Sequence, residues 1–217
     1  MNDQASNESV PVVLLHGLWM PGLEMALLQQ RLEPRGFHCR RFSYSTFQSG
    51  VEETVGALAA CVAGFGDGPV HFVGHSLGGL LLRHFFAAYP ETAPGRSVTL
   101  GTPHAGSRVA QVLDGLGPTS WLLGSGRRMG LMGDAPAWPA GRELGVIAGT
   151  MSLGMGLVVP GLSQPNDGTV SVEETRCPEM SDFLELPVSH MGLVVSEQVA
   201  NQTAAFLHQG HFDHAAA

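Results

Sequence analysis

The sequence predicts an α/β fold in which a mostly parallel sheet of about six strands carries helices on both faces. Short apolar runs rich in Val and Leu alternate with longer stretches of helical periodicity along the chain. Continuous apolar runs of this kind are typical of strands buried on both sides. The 217 residues suit one domain spanning 1–217, and 44% of them are apolar, which is enough for a sizeable core.

Six segments are predicted as strands because they are apolar and are bounded by turn residues. They are residues 10–15, 37–44, 70–74, 97–101, 143–149 and 183–186. Apolar residues at helical spacing predict helices between them. These helices are residues 24–32, 51–65, 77–89 and 194–207. A strand–helix alternation of this regularity predicts parallel pairing, and no linker divides the chain.

One connection, residues 102–142, is much longer than the others. Val109, Val112, Leu113 and Leu116 fall at helical spacing within it, and further Trp, Leu and Met residues follow, separated by glycines. A connection of this length is usually functional or disordered, and this one is too apolar for disorder. We therefore expect a cap over one end of the sheet. A packed excursion with no role in binding is the alternative.

Composition excludes several classes of protein. The net charge is -8 with no basic run, which argues against a nucleic-acid partner. Three cysteines without CxxC spacing argue against a disulfide framework and a zinc site. From the polar N-terminus we expect no signal peptide, and from the lack of a long apolar run we expect no membrane span. We expect a cytoplasmic protein without stable membrane insertion, whose oligomeric state the sequence leaves open.

A serine lies between two glycines directly after the third predicted strand. The segment GHSLG occupies residues 74–78, between an apolar run and an apolar helical stretch. In this context a G-x-S-x-G sequence forms a sharp strand-to-helix turn, where side chains at the glycine positions would collide with neighbouring elements. The turn lifts the hydroxyl of Ser76 above the sheet, at a helix N-terminus. We interpret Ser76 as a nucleophile; an inert turn is the alternative.

A serine nucleophile needs a base within hydrogen-bond reach and an acid that orients the base. In this arrangement the acid and then the base follow the serine along the chain. Among ten histidines, His190 lies between the last predicted strand and the last helix, at the same end of the sheet as Ser76. We therefore predict His190 as the base. The other candidates are His71 and His75, on the strand and directed away from the serine oxygen, and His208, His211 and His214, in a polar tail.

The predicted acid is Asp167, in the segment PNDGTV that follows the fifth strand. Turn residues present its carboxylate at the same end of the sheet as the serine and the histidine. The alternative is that the segment is only a favourable turn. Glu173 and Glu174 are then the next candidates, and Asp134 is a weaker one.

Two backbone N–H groups are predicted to stabilise an oxyanion. One belongs to Leu77, which directly follows the serine and begins a helix. The other belongs to Leu18, in the segment HGLW after the first strand, where Gly17 permits a tight turn.

These motifs together resemble the α/β-hydrolase superfamily, and within it the bacterial lipases and esterases. The resemblance rests on HGLW, GHSLGG, LGTPHAGS at 100–107, PNDGTV, and SH before the last helix. It covers about 190 residues and implies an α/β-hydrolase fold. It also implies Ser76, Asp167 and His190 as a catalytic triad, with Leu18 and Leu77 supplying the oxyanion hole. No cofactor or metal is expected, and the sheet should lack the first two antiparallel strands common in the family.

We expect hydrolysis of carboxylic esters with apolar acyl groups, on a small-molecule ester or lipid and with transient contact to a lipid interface. The acyl pocket is expected to be apolar and built largely by the cap. The residues expected to line it are Trp19, Leu113, Leu116, Met155 and Leu157, with Val158 adding to one wall. Acyl transfer or thioester hydrolysis by the same triad is one alternative. A catalytically silent fold that binds a ligand or partner is another.

Overall fold

The computed structural model describes residues 9–92, 95–153 and 160–216. Within them six strands form one sheet in the order β2-β1-β3-β4-β5-β6, and every neighbouring pair is parallel. The strands are β1 Val10–Leu15, β2 Phe37–Phe42, β3 His71–His75, β4 Ser97–Leu100, β5 Leu144–Gly149 and β6 Asp182–Leu186. The predicted parallel sheet is confirmed, and each strand begins and ends within two residues of its expected bounds.

The helices cover both faces of this sheet. They are α1 Met25–Leu32, α2 Val51–Ala63, α3 Leu77–Ala88, α4 Arg108–Gly115, α5 Val172–Thr175, α6 Gly192–Val195 and α7 Glu197–Gln209. The prediction of one helix over 194–207 is wrong, because the chain is extended at Ser196, with φ -80° and ψ 133°. The hydroxyl of Ser196 accepts the N–H of Val199 and so begins a new helix there.

The core consists of two apolar layers separated by the sheet. Alternate residues of β1 point to opposite faces, with Val12 and Leu14 in one layer and Val13 and Leu15 in the other. Side chains of α1, α6 and α7 fill the first layer, and side chains of α2, α3 and α4 fill the second. Since both faces are covered, inner strands such as β1 and β5 are apolar along nearly their whole length, whereas the edge strand β2 exposes His38, Arg40 and Arg41.

The chain after α7 packs against β6. Phe212 is 2% exposed, and its ring lies 5.0 Å from that of Phe206. The carboxylate of Asp182 accepts the N–H of Phe212 at 2.7 Å and lies 2.9 Å from Nε2 of His214. The tail histidines are exposed, as expected, but the phenylalanine between them completes the core beside β5 and β6.

Residues 102–142, called the 102–142 segment below, contain α4 and a 3-10 helix, Ser120–Arg127, with a kink at Gly124. The segment packs against α3 through Trp138, whose ring meets that of Phe86 at 5.2 Å. It is also tied to the loop after β2, because the backbone N–H and the hydroxyl of Ser125 both donate to the carbonyl of Thr46, at 2.7 and 2.9 Å. The segment is therefore held in two places, against α3 and against the loop after β2.

Within residues 9–92, 95–153 and 160–216, no helix has both the length and the apolar character required to cross a membrane. The thiols of Cys39, Cys61 and Cys177 are free, with Cys39 and Cys177 buried.

We expect Gly78→Ala and Gly56→Ala to change stability in opposite directions. A Cβ on Gly78 would lie 2.5 Å from the carbonyl oxygen of Leu15, whereas a Cβ on Gly56, inside α2, would meet nothing within 4 Å. Overpacking against backbone should lower the free energy of unfolding of Gly78→Ala by about 1–3 kcal/mol. Helix propensity should raise that of Gly56→Ala by about 0.5–1 kcal/mol. Urea unfolding measures both, and equal effects would contradict the close approach of α3 to β1.

Candidate active site

Ser76 occupies a strained turn between β3 and α3. Its backbone has φ 53° and ψ -119°, and among the described residues other than glycine only Trp19 shares a positive φ. A conformation of this kind costs on the order of 1–3 kcal/mol and persists only where its surroundings enforce it. Here the N–H of Ser76 donates to the carbonyl of Leu100 at 2.9 Å, and its carbonyl accepts the hydroxyl of Thr102 at 2.8 Å. Both bonds fix the turn to the end of β4.

The glycines around Ser76 permit this turn because neighbouring atoms leave no room for a side chain. A Cβ on Gly74 would lie 2.7 Å from the backbone nitrogen of Gly79, and a Cβ on Gly79 would lie 2.2 Å from the hydroxyl of Thr102. The structure therefore explains why this G-x-S-x-G-G sequence needs its glycines. Ser76 is the only residue with a side chain at the apex of the turn.

His190 and Asp167 form a short hydrogen bond beside this turn. Nδ1 of His190 lies 2.6 Å from Oδ2 of Asp167, and the N–H of His190 donates to the carbonyl of Asp167 at 2.8 Å. The other carboxylate oxygen accepts the N–H groups of Thr169 and Val170, at 2.9 and 2.7 Å. Asp167 is 1% exposed, so these donors replace water around its charge. The bond places the proton on Nδ1 and leaves Nε2 of His190 free to accept.

Gly101, at the end of β4, makes room for this pair. A Cβ there would lie 2.9 Å from Oδ2 of Asp167 and 3.1 Å from Nδ1 of His190, and its φ of 56° also favours glycine. The acid and the base predicted from the sequence are therefore in contact, although 23 residues separate them along the chain.

The other acids considered from the sequence lie elsewhere. The carboxylate of Glu174 accepts the N–H of Ser171 at 2.7 Å and closes a capping box at the start of α5. Glu173 and Asp134 are exposed.

A second histidine, His75, packs against the ring of His190 and contacts its backbone carbonyl. His75 is completely buried, its Nε2 lies 3.1 Å from the carbonyl oxygen of His190, and the two rings are 4.7 Å apart. Burial, and then the neighbouring His190, lower the pKa of His75 well below its usual range. His75 is therefore neutral and donates its Nε2 proton to that carbonyl. As expected, it is not part of the cavity that Ser76 faces.

His16 fixes the orientation of the peptide that joins Gly17 to Leu18. Its Nε2 accepts the N–H of Tyr44 at 3.2 Å, so Nδ1 carries the proton and donates to the carbonyl of Gly17 at 2.9 Å. In a planar trans peptide the carbonyl and the N–H point in opposite directions, so this bond directs the N–H of Leu18 away from His16. A Cβ on Gly17 would lie 3.1 Å from Cβ of Ser76, which places this peptide against the serine turn.

Ser76 and His190 line an apolar cavity of about 270 Å³. Of the residues expected to line it, Trp19 and Leu113 do so. Leu116 is not part of the lining; it follows the last turn of α4 and is 58% exposed. Met155 and Leu157, with Val158, lie outside the described residues.

The sequence offered too little signal to assign the other residues to the cavity lining, although Leu18 was predicted for its backbone N–H. They come from the 102–142 segment and from the loops after β1, β5 and β6, which are distant along the chain. They are Leu18, Met20, Pro103, Ser107, Val109, Ala110, Leu123, Leu131, Leu153, Thr169, Val170, Ser189 and Met191. The apolar stripe of α4, which includes Val109, was the one sequence feature that indicated a place in the cavity lining.

Comparison with known proteins identifies the family. The model of the alpha/beta hydrolase family matches residues 12–207. The chain belongs to the α/β-hydrolase family. Lipase LipV of Mycobacterium tuberculosis is 41% identical over 69 residues, which are 30% of this chain and 26% of that protein. The matched part thus spans about a quarter of that lipase.

Solved structures show the same fold. The mature lipase BlEst2 of Bacillus licheniformis superposes with a TM-score of 0.70 at 19% identity, covering 94% of this chain and 92% of the other. A metagenomic carboxyl esterase, MGS0156, superposes with a TM-score of 0.71 at 17% identity, covering 94% of this chain and 76% of the other. These superpositions agree with the family match in showing an α/β-hydrolase fold.

Beneath the site, this α/β hydrolase holds a buried polar cluster that sequence reasoning missed. Nε of Arg83, on α3, donates to Nδ1 of His104 at 3.0 Å, and Nε2 of His104 lies 3.0 Å from the hydroxyl of Thr99. Arg83 also donates to the carbonyl of Pro136 at 3.0 Å and lies 3.5 Å from Glu179. Burial, and then the Arg83 charge, lower the pKa of His104 to about 3. The neutral imidazole links α3 to the end of β4.

The depressed pKa of His104 makes stability depend on pH. Between its ordinary pKa of 6.5 and its folded pKa of about 3, the unfolded chain binds a proton that the folded chain does not. The stabilisation is therefore complete above pH 6.5 and is lost as pH falls toward 3, by about 1.4 kcal/mol per pH unit. Urea unfolding measures the free energy of unfolding at each pH. Between pH 6 and 4.5 we expect this free energy to fall less steeply with decreasing pH in His104→Asn than in the native protein. Parallel profiles would contradict a neutral buried His104.

Proposed function

We propose that this α/β hydrolase cleaves carboxylic esters of apolar acyl groups by a serine mechanism. The observation that carries this proposal is the 2.6 Å bond between Asp167 and His190 beside Ser76, with Ser76 and His190 opening into one apolar cavity. The lipases and esterases that share the fold support the same reaction class.

In the first half of the reaction, Oγ of Ser76 attacks the ester carbonyl while Nε2 of His190 takes the hydroxyl proton. The resulting imidazolium is stabilised by the Asp167 carboxylate, whose other oxygen accepts two backbone N–H groups. Collapse of the tetrahedral intermediate breaks the ester bond, and His190 returns the proton to the departing alcohol. Water then attacks the acyl-enzyme by the same route and releases the acid.

The tetrahedral oxyanion is stabilised by the N–H groups of Leu18 and Leu77. The N–H of Leu77 belongs to the first turn of α3, where the helix dipole favours negative charge. The N–H of Leu18 is aimed by the His16 bond to the Gly17 carbonyl. The first donor lies on a helix and the second is held by the His16 bond, so little reorganisation is needed as charge develops.

The 102–142 segment acts as a cap that supplies one wall of the acyl pocket. Leu113, Leu123 and Leu131 line the cavity from this side, and Val170 and Met191 line it from the other. The volume of about 270 Å³ lies below the usual range for drug-sized ligands, about 300–1,000 Å³. We therefore expect short and medium acyl chains to be preferred over long ones.

Ser76→Ala should abolish hydrolysis of p-nitrophenyl esters from acetate to palmitate without changing the free energy of unfolding by more than about 1 kcal/mol. The loss follows because no other group forms the acyl-enzyme. A fluorophosphonate probe should label the native protein and fail to label Ser76→Ala. Ser120→Ala, on the 102–142 segment and outside the cavity lining, is the control and should keep full activity. Native protein that folds yet neither hydrolyses nor is labelled would point to a silent ligand-binding fold.

Ala110→Leu should shift the preference toward shorter acyl chains. Ala110 is 3% exposed and lines the cavity, so three added carbons would occupy space otherwise open to the acyl group. We expect the ratio of kcat/KM for octanoate to that for acetate to fall by about tenfold or more. Ala57→Leu, on the exposed side of α2, is the matched control and should leave the ratio unchanged. An unchanged ratio in Ala110→Leu would mean that the acyl group binds elsewhere.

A further inference from the structure

We propose that Trp19 is a positioning residue that couples the 102–142 segment to the oxyanion hole. Its indole N–H binds the carbonyl of Leu122, and this bond holds the backbone that presents the N–H of Leu18. The proposal rests on the proposed function, since it assigns Trp19 a part in the same ester hydrolysis. It goes beyond a role as cavity wall.

The backbone at Trp19 adopts a conformation that a large aromatic residue avoids. Its φ is 64°, in the left-handed region where Cβ crowds the backbone. In the described part of the chain, the one other residue besides glycine with positive φ is Ser76 itself. Outliers of this kind gather at functional sites and persist only where neighbouring contacts hold them.

The contact that holds Trp19 comes from far along the chain. Nε1 of Trp19 donates to the carbonyl oxygen of Leu122 at 2.6 Å, across 103 residues of sequence. Leu122 belongs to the 3-10 helix of the 102–142 segment, which Ser125 ties to the carbonyl of Thr46. The acceptor is therefore part of an anchored element, and its position decides where the indole can lie.

Leu18 lies between two fixed points as a result. On one side, His16 holds the carbonyl of the Gly17–Leu18 peptide at 2.9 Å. On the other side, the left-handed backbone of Trp19 sets the direction in which the chain leaves Leu18. Without the indole bond, the residue can relax to a negative φ, and the adjoining peptides rotate with it. A displacement of about 1 Å at a catalytic donor can cost about a hundredfold in rate.

A different result is expected if Trp19 only forms part of the cavity wall. Trp19 is 44% exposed and is one of the residues that line the cavity. If the ring only contacts the acyl chain, its loss should weaken long esters more than short ones. If the indole bond positions the oxyanion donor, every ester should lose the same factor, because each passes through the same oxyanion.

The deciding variant is Trp19→Phe, which keeps an aromatic ring and removes the N–H donor. The matched control is Trp121→Phe, on the same 3-10 helix, 69% exposed and outside the cavity lining. We expect kcat/KM of Trp19→Phe to fall about 10- to 100-fold by one common factor from acetate to octanoate, mainly through kcat. Affinity for a trifluoromethyl ketone, which forms a tetrahedral oxyanion on Ser76, should fall by the same factor. Trp121→Phe should match the native protein in both measurements.

A loss in Trp19→Phe that grows with acyl length, or no loss in kcat, would overturn the proposal. Hydrogen–deuterium exchange provides a test that does not depend on activity. We expect amides of residues 16–20 and 120–127 to exchange faster together in Trp19→Phe than in Trp121→Phe, and unchanged exchange in either stretch would also overturn the coupling. If native protein neither hydrolyses esters nor takes a fluorophosphonate label, the proposed function fails, and the exchange result alone decides whether the coupling exists.

Discussion

The strained backbone of Ser76 is the constraint on which the site depends. The turn brings α3 so close to β3, to the end of β1 and to Thr102 that glycine is required at 74, 78 and 79. Two hydrogen bonds to the end of β4 and the buried side chains of α3 hold the turn in place. These bonds and the packing of α3 in the second apolar layer offset the strain of the turn.

The remaining groups of the site are placed by hydrogen bonds between loops that leave the same end of the sheet. Asp167 follows β5 and His190 follows β6, so parallel strands deliver both to one edge. Backbone donors hold the carboxylate, and the neutral His75 holds the loop that carries His190. Asp167 and His75 are buried, so their hydrogen bonds replace water that burial has removed.

The 102–142 segment shows how a chain with little regular structure becomes part of a site. A few polar anchors hold it: Ser125 on Thr46, Trp19 on Leu122, and Arg83 on Pro136. Apolar side chains fill the space between the anchors and face the cavity. Since the Trp19 anchor starts from the loop that packs against the serine turn through Gly17, the shape of the pocket and the geometry of the site are physically linked.

The sequence by itself determined the strands and the serine turn, and it predicted Asp167 and His190, which the structure brings into contact. Those features follow from local signals, namely apolar runs, glycine spacing, and the rule that parallel strands share one carboxyl edge. Tertiary structure alone decided that Ala110 and Leu123 face the cavity while Leu116 faces solvent, and that Phe212 completes the core. It also decided the bonds of His16, Arg83 and Trp19. Contacts of this kind join residues as far as 103 positions apart, and nothing in the spacing of either partner reports the other.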